Sequence, residues 1–291
     1  MTGYAYALLS LTSLLWAGNQ IIGRAVAGHV PPIALGMLRW TLAALIILPF
    51  AWVHLRRDWP VVRRNAGVLL LLGVTAGGSV NTLQYIGLNH TTALNALLIN
   101  SSAPVLIALT SFALFGERLR AMQWLGILVS LLGVLSILAE GRPSEILALS
   151  ANPGDVLCLV AMVVWGLYTA LLRHRPAIHW LSFTAVTFAI SGVVTWPFFI
   201  AEHLSGRTLA ATMPTLLAVS YVAVFPSLIA YLCYNRGVEI VGAARAGVFM
   251  HLVPAFGAVL AFVLLGEAPH LYHAAGFALT LGGIWLATRG R

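Results

Sequence analysis

Long apolar stretches separated by short polar segments follow one another along the whole chain. A membrane-spanning helix needs about 20 mainly apolar residues, and most intervals without Asp, Glu, Lys or Arg are close to that length. The longest interval, 65–116, is divided by the polar tetrapeptide Asn-His-Thr-Thr at 89–92. The pattern predicts an all-α integral membrane protein with ten transmembrane helices. Their approximate ranges are 4–23, 32–54, 66–87, 92–115, 121–139, 154–172, 179–200, 214–235, 243–265 and 270–288.

The first predicted span has a second interpretation as a secretory signal peptide, because Ala-Val-Ala at 25–27 is similar to a cleavage site. No basic residue precedes the span, and Trp16, Asn19 and Gln20 are unusual in the apolar part of a signal peptide. We therefore expect this span to be a retained helix.

Composition and charge support the membrane assignment. The chain is 60% hydrophobic and 8% charged, whereas soluble domains carry about 25% charged residues. This composition argues against a soluble enzyme or a nucleic-acid-binding protein. All 16 basic residues are Arg, which excludes a lysine Schiff base and a P-loop. Cys158 and Cys233 lie in apolar stretches and are expected to be small buried residues without a disulfide or metal role.

The distribution of Arg residues predicts an orientation. With a cytoplasmic N-terminus, twelve Arg residues fall in cytoplasmic segments, three (Arg24, Arg142 and Arg207) fall outside, and Arg39 lies within a span. Cytoplasmic loops are normally enriched in Lys and Arg. We therefore expect both termini in the cytoplasm of a bacterium and the protein in its inner membrane. Five of the eight acids, including Asp155, are predicted to lie outside, and the net charge of +8 reflects topology rather than nucleic-acid binding.

An internal repeat accompanies this pattern. Residues 87–133 align without gaps on 237–283, with twelve identical positions. The least common matches are Pro104/Pro254, Gly116/Gly266, Glu117/Glu267, Gly126/Gly276 and Gly133/Gly283. We predict an N-terminal repeat over 1–145 and a C-terminal repeat over 146–291, with five helices each. Because five is odd, the two repeats have opposite orientations, an arrangement found in many secondary transporters.

The motifs in these repeats resemble the EamA family of the drug/metabolite transporter superfamily. They are A-L-N-A-L-L-I-x4-P over 93–104, L-F-G-E-R-L over 114–119, Q-x2-G-x6-G over 123–133 and P-x9-L-L-G-E over 254–267. The resemblance implies a ten-helix exporter of amino acids or other small metabolites, and it is greatest to the YddG-type aromatic amino-acid exporters. In the second repeat, Ala-Pro follows Gly-Glu where the family usually has a basic residue, which puts a gating role for that loop in doubt.

Polar and aromatic side chains within the spans are candidates for substrate binding, because polar groups at membrane depth usually face a cavity or the bundle interior. Such a cavity suits an amphipathic zwitterion or an aromatic molecule. The candidate set is Trp16, Asn19, Asn81, Tyr85, Asn95, Trp165, Tyr168, Tyr231 and His251. For each residue a purely structural role is the alternative to substrate binding. For Asn81 or Asn95 that role is an interhelical hydrogen bond, and for His251 it is a buried position in which its hydrogen bonds are made within the protein. The Ser and Thr row of the seventh span is assigned to packing.

Five further residues are candidates for gating or structural roles. Pro104 and Pro254 occupy equivalent positions and predict paired kinks that act as hinges. Glu117 and Glu267 lie at helix junctions, where they form either a gate ion pair or an N-terminal cap of the next helix. Arg39 has three interpretations: outward snorkelling, neutralisation of a substrate carboxylate, or anchoring of an external gate.

These observations favour an exporter that works by alternating access as a monomer, with a small-molecule substrate, the lipid bilayer as its surroundings and no cofactor or metal. No acid is predicted at mid-span, which favours facilitated transport or exchange over proton coupling. The alternatives are a multidrug or cationic-compound exporter of the same fold, a channel, and an intramembrane enzyme. No hydrolase motif supports the enzyme.

Overall fold

A computed structural model describes residues 2–116, 120–139, 142, 152–241, 249–250 and 252–289, and these residues contain helices and no strand. The helices of the first half are α1 Thr2–Ala25, α2 Pro32–Arg64, α3 Ala66–Gly73, α4 Val80–Leu88, α5 Ala93–Asn100, α6 Ala103–Phe115 and α7 Ala121–Leu138. Those of the second half are α8 Pro153–Leu171, α9 Trp180–Leu204, α10 Met213–Val224, α11 Ala230–Val241, α12 Leu252–Leu260 and α13 Leu271–Arg289.

Several of these helices have the length and hydropathy of membrane spans. Among the described residues, five continuous segments qualify: Pro32–Arg64, Ala66–Leu88, Pro153–His174, Trp180–Leu204 and Met213–Tyr234. Helices α5 and α6 add a sixth if they form one bent span, and two shorter apolar helices cover Ala121–Ile137 and Leu252–Leu265. The chain is therefore a multi-pass, all-helical membrane protein.

Helix α2 is longer than the predicted span of 32–54, because it continues through Pro49 and Pro60 to Arg64. The hydrophobic pattern marks only the part of a helix that lies in lipid. Its backbone hydrogen bonding continues beyond that part, into a polar turn that contains several Arg residues. A limit drawn from apolar residues alone therefore places the end of this helix too early.

The fourth predicted span, 92–115, is broken in two. Helix α5 ends at Asn100, α6 begins at Ala103, and the two axes differ by 47°. Pro104 lies in the first turn of α6, and proline lacks the backbone N–H that would continue the hydrogen bonding from α5. Pro254 lies in the first turn of α12. Residues 242–248 and 251 are outside the described part of the chain, so the matching kink there stays a prediction.

Two π-helical segments interrupt the third and eighth predicted spans. Val74–Ser79 joins α3 to α4, and Phe225–Ile229 joins α10 to α11, so the two segments end at positions that are equivalent in the sequence repeat. A Cβ added at Gly77 would lie 2.5 Å from the Trp40 ring, so the first segment brings its backbone against α2. Such segments occur frequently at functional sites, and both border the cavity region described below.

Helices α7 and α13 run antiparallel in close contact. A Cβ on Gly133 would lie 2.5 Å from the Gly276 carbonyl oxygen, and a Cβ on Gly283 would lie 2.4 Å from the Gly126 oxygen. Glycine at these positions allows the two backbones to approach, as small residues do in membrane helix pairs.

Helices α2 and α9 form a second antiparallel pair, which carries a carboxylate cap at each end. The Glu202 carboxylate, near the end of α9, accepts a hydrogen bond of 2.8 Å from the backbone N–H of Ala34 at the start of α2. At the opposite end, Asp58 of α2 accepts one of 2.9 Å from the backbone N–H of His179, just before α9. Carboxylates at helix N-termini satisfy unpaired N–H groups and interact favourably with the helix dipole.

Candidate functional site

A cavity of about 380 Å³ lies between helices from both halves of the described chain. Small-molecule sites usually have volumes of roughly 300–1,000 Å³, so the cavity is large enough for a small metabolite. It is lined by Trp16, Asn19, Gln20, Arg39, Val80, Asn81, Gln84, Leu97, Asn100, Ser101, Ala103, Ile107, Met162, Trp165, Thr169, Tyr231, Tyr234, Met250, Val253 and Pro254.

The predicted binding residues fall into three groups. Those that line the cavity are Trp16, Asn19, Asn81, Trp165 and Tyr231. Three others lie outside the lining. Tyr85 is directly behind it, Tyr168 packs against the Trp165 ring at 5.2 Å between centroids, and Asn95 belongs to a separate polar cluster. His251 lies outside the described residues, as does Glu117 of the gating set.

Arg39 is the charged group of the cavity lining, and four neutral side chains hold it. Its Nε donates to Ser227 Oγ at 2.8 Å, and its Nη1 donates to Asn19 Oδ1 at 2.7 Å and Asn81 Oδ1 at 2.8 Å. The Tyr85 hydroxyl accepts from Nη1 at 2.9 Å and donates to Asn19 Oδ1 at 2.6 Å. The guanidinium is thus fixed by α1, α4 and the π segment that precedes α11.

Arg39 is 3% exposed, so its side chain does not snorkel outward as one of the three interpretations proposed. Its guanidinium carbon lies 4.7 Å from the centroid of the Trp40 ring, which adds a cation–π contact. The lining given above contains no Asp or Glu. A buried cation is costly without a negative partner, and an anionic group bound in the cavity would supply one.

An amide ladder beside Arg39 was not identified from the sequence. Gln20 Nε2 donates to Gln84 Oε1 at 2.6 Å, and Gln84 Nε2 donates to Asn100 Oδ1 at 2.9 Å. Gln20 Oε1 is buried without a hydrogen-bond partner. All three side chains are amides within predicted spans, and that shared property is the sequence signal that would have found them.

Aromatic rings form another wall of the cavity. The Trp16 indole N–H donates to the backbone oxygen of Pro226 at 3.0 Å, which fixes the ring. Its centroid lies 5.8 Å from that of Tyr231 and 5.5 Å from that of Tyr234. These distances are typical of interacting aromatic pairs. The wall offers a largely apolar surface, and Trp165 also belongs to the lining.

Asn95 belongs to a buried cluster centred on Asp155. The Asp155 carboxylate accepts hydrogen bonds from the Thr91 hydroxyl and from Asn95 Nδ2, the latter at 3.1 Å. Asn95 Oδ1 lies 2.8 Å from His273 Nε2, and His273 Nδ1 accepts from the backbone N–H of His270 at 2.9 Å. Asp155, predicted on the external side, is fully buried within the described structure, and these groups replace water around its carboxylate.

Glu267 caps a helix of the other half of the chain. Its two carboxylate oxygens accept from the backbone N–H groups of Ala93 and Leu94, both at 3.0 Å, at the start of α5. Arg24 Nε lies 3.6 Å from Glu267 Oε1. Glu267 thus takes part in an ion pair with Arg24. It also caps a helix N-terminus, but that helix is α5 rather than the helix that follows Glu267.

The Ser and Thr row of α9 bonds to backbone carbonyls. Thr187 donates to the Phe183 oxygen at 2.9 Å, and Thr195 donates to the Ser191 oxygen at 2.9 Å. Ser191 also donates to the Gly73 oxygen of α3 at 2.7 Å. These bonds agree with the packing role predicted for the row.

Comparisons with known proteins match the two halves of the chain separately and the chain as a whole. The model of the EamA-like transporter family matches it twice, over residues 2–139 and 152–289. An uncharacterized transporter of Archaeoglobus fulgidus is 30% identical over 99% of this chain and 98% of its own. A probable amino-acid metabolite efflux pump of Salmonella typhimurium is 25% identical, with coverage of 97% and 94%. A solved crystal structure with 23% identity covers 97% of this chain and 96% of its own with a TM-score of 0.63, which supports the fold alone.

Proposed function

Because the chain belongs to the EamA-like transporter family, we propose that it is a secondary transporter that exports small metabolites with a carboxylate group. Amino acids, including aromatic ones, are the substrates that the cavity fits best. The similarity to a protein named as an amino-acid metabolite efflux pump supports this substrate class.

Arg39 is the observation that carries the proposal. Its guanidinium is buried, lines the cavity and is held by neutral oxygens from Asn19, Asn81, Tyr85 and Ser227. The cavity lining therefore carries one positive charge and lacks an acid among the described residues. A substrate carboxylate forms charge-assisted hydrogen bonds with such a group, and these are about twice as strong as neutral ones.

The rest of the lining suits the other parts of an amino acid. Amide oxygens of the ladder formed by Gln20, Gln84 and Asn100 are acceptors for an ammonium group. The rings of Trp16 and Trp165 provide apolar faces for an aromatic side chain.

A cationic-drug exporter of the same fold is the main alternative. A cation in this cavity would be repelled by Arg39, and the lining supplies no carboxylate to attract it. For the intramembrane enzyme, the relatives described above are named as transporters, which favours transport.

Two inverted repeats, 1–145 and 146–291, and ten spans form the proposed architecture. The contact between Gly126 and Gly283 becomes the contact between Gly276 and Gly133 when repeat-equivalent residues are exchanged, and both contacts are present. Gly116 and Gly266 also end their helices in the same left-handed conformation, with φ values of 64° and 68°. These correspondences support a two-fold relation between the halves.

Alternating access between these two repeats gives the proposed mechanism, since inverted halves can exchange conformations around a fixed site. The Arg distribution supports cytoplasmic termini, and the membrane that we propose for the protein is the bacterial inner membrane. Both repeats contribute to the cavity of one chain, so a monomer is proposed to be sufficient.

Ligand-induced stabilisation of the purified protein tests the substrate class. A ligand that binds the folded state raises its stability by RT ln(1 + [L]/Kd). The panel pairs phenylalanine and tryptophan with their decarboxylated amines and adds cationic dyes. We expect the amino acids to raise the unfolding temperature and the amines to leave it unchanged. Stabilisation by the amines or dyes, without stabilisation by the amino acids, would contradict the proposal.

A further inference from the structure

We propose that Glu267 and Asp155 form a two-carboxylate latch on the N-terminus of α5, which closes one mouth of the cavity. The transporter must break this latch to open the cavity at that end. The inference rests on the proposed alternating access, because only a protein that opens at this end needs such a contact to be reversible. Under the proposed topology, this mouth faces the outside of the cell.

Packed side chains of the described helices close the bundle between the cavity and the latch. The lining begins at Leu97 on α5 and at Met162 on α8. Between these positions and the starts of the helices, Leu94 is 3% exposed and Cys158 is fully buried. Leu88, at the end of α4, is fully buried as well. The cavity is therefore separated from this end of the bundle by about one turn of α5 and about two and a half turns of α8, at 3.6 residues per turn.

The latch joins the two halves of the chain at the start of α5. Glu267, just before α13, accepts from two backbone N–H groups of α5, those of Ala93 and Leu94. Asp155, in the first turn of α8, holds the side chain of Asn95 in α5 and that of Thr91 in the loop just before α5. Both carboxylates come from the second half, so a movement of the start of α5 away from α8 and α13 must break all of these bonds.

Helix α5 has the shape of a movable element. It is eight residues long, and the chain bends by 47° between its end at Asn100 and the next helix. The bend allows α5 to tilt without moving α6 as a rigid extension. The N-terminal hydrogen bonds of α5 are therefore the contacts that hold its outer end in place.

The α2 and α9 pair provides a contrast. It carries carboxylate caps at both of its ends in the same structure, Glu202 on the start of α2 and Asp58 before the start of α9. Because Glu202 and Asp58 hold this pair at both of its ends, the proposed movement of α5 leaves both of these caps in place. For the latch, the sequence repeat supplies equivalents of Glu267 and Ala93 at Glu117 and Ala243, which lie outside the described residues.

Distance measurement between two spin labels tests the latch in proteoliposomes without substrate. The labels are attached to cysteines at the exposed positions His90 and Ala268, in a background with Cys233→Ser and the buried Cys158 retained. The latch variants are Glu267→Gln and Asp155→Asn. The matched control is Glu202→Gln, which removes one carboxylate from another helix N-terminus.

We expect a short distance to dominate in the parent protein. Each latch variant should raise the ratio of long to short distances about tenfold, because a charged acceptor is replaced by a neutral one. Glu202→Gln should leave the ratio unchanged. An unchanged ratio in both latch variants, or an equal rise in the control, would overturn the latch.

Two further measurements keep the test decisive. Arg24→Gln removes the ion pair at 3.6 Å and the hydrogen bond of 2.8 Å that Arg24 Nη1 donates to the Leu88 oxygen, but it leaves both carboxylates on α5. It should fold normally and raise the ratio by less than Glu267→Gln. If Glu267→Gln is too unstable to label, an unchanged ratio in Asp155→Asn overturns the latch by itself. Because no substrate is present, a rise in the ratio supports the latch even if the amino-acid panel fails, and that failure counts only against the proposed substrate class.

Discussion

Replacement of Arg39 by Gln tests whether the buried guanidinium recognises a substrate carboxylate. The variant removes the positive charge from the cavity and keeps a polar side chain among Asn19, Asn81 and Ser227. The matched variant Arg39→Lys keeps the charge but loses the planar fork of donors. Arg207→Gln, on an exposed loop, controls for the loss of one Arg elsewhere.

The expected size of the effect follows from the site. A hydrogen bond to a charged group contributes about 1.5–3 kcal/mol, and each 1.4 kcal/mol is about a tenfold change in affinity. We therefore expect Arg39→Gln to weaken amino-acid binding by about 10- to 150-fold, with a smaller loss for Arg39→Lys. Binding of the decarboxylated amine should not weaken, because that ligand lacks the group that Arg39 contacts.

Competition binding to detergent-purified protein, with the amino acid and its amine in parallel, gives both affinities. Thermal unfolding of each variant separates a folding defect from a binding defect. The reasoning is refuted if Arg39→Gln changes the two affinities by the same factor, or if Arg207→Gln has the same effect on the amino acid.

Three further substitutions test other parts of the account. Asn81→Asp places a carboxylate beside Arg39 Nη1, 2.8 Å from the present amide oxygen, and should weaken amino-acid binding in competition assays by about tenfold or more. Gly133→Ala sets a methyl group 2.5 Å from a backbone carbonyl of α13 and should lower stability in thermal unfolding by about 1–3 kcal/mol, whereas Gly282→Ala, which meets nothing within 4 Å, should not. Trp16→Phe keeps an aromatic ring but loses the hydrogen bond to the Pro226 oxygen that fixes its orientation. The binding free energy of an aromatic amino acid should therefore become less favourable by about 0.5–1.5 kcal/mol. An unchanged affinity would contradict a role of Trp16 in binding the aromatic side chain.

The sequence predicts the helical membrane fold because long apolar runs have few stable alternatives in lipid. It places the polar break at 89–92 correctly, where the structure has the loop between Leu88 and Ala93. It does not predict the end of α2 at Arg64 or the π segment Val74–Ser79, since both depend on backbone geometry and packing rather than on hydropathy.

The candidate site is predicted in part. Helical spacing brings Trp16 and Asn19 to one face, and both line the cavity. Spacing cannot show which neighbour a face meets, so Asn95 was grouped with the cavity although it bonds to Asp155. The sequence predicts Asp155 on the external side, at the start of the sixth span, but gives no sign that its carboxylate is buried. Only tertiary contacts show that the carboxylate is buried.

The role of Arg39 is a second property that the sequence alone does not determine. The sequence identifies it as the charge that the topology leaves unexplained, but it leaves three roles open. The choice depends on the positions of Asn81, Tyr85 and Ser227, which lie far away in the chain and meet at the guanidinium.

Counterflow in proteoliposomes tests the central claim most directly. Vesicles are loaded with unlabelled phenylalanine, and the entry of external labelled phenylalanine is followed as its concentration rises. The account predicts transient, saturable accumulation that external tryptophan inhibits and phenethylamine does not. A flux that rises linearly without saturation would indicate a channel, and counterflow of cationic dyes without counterflow of any amino acid would contradict the carboxylate site at Arg39.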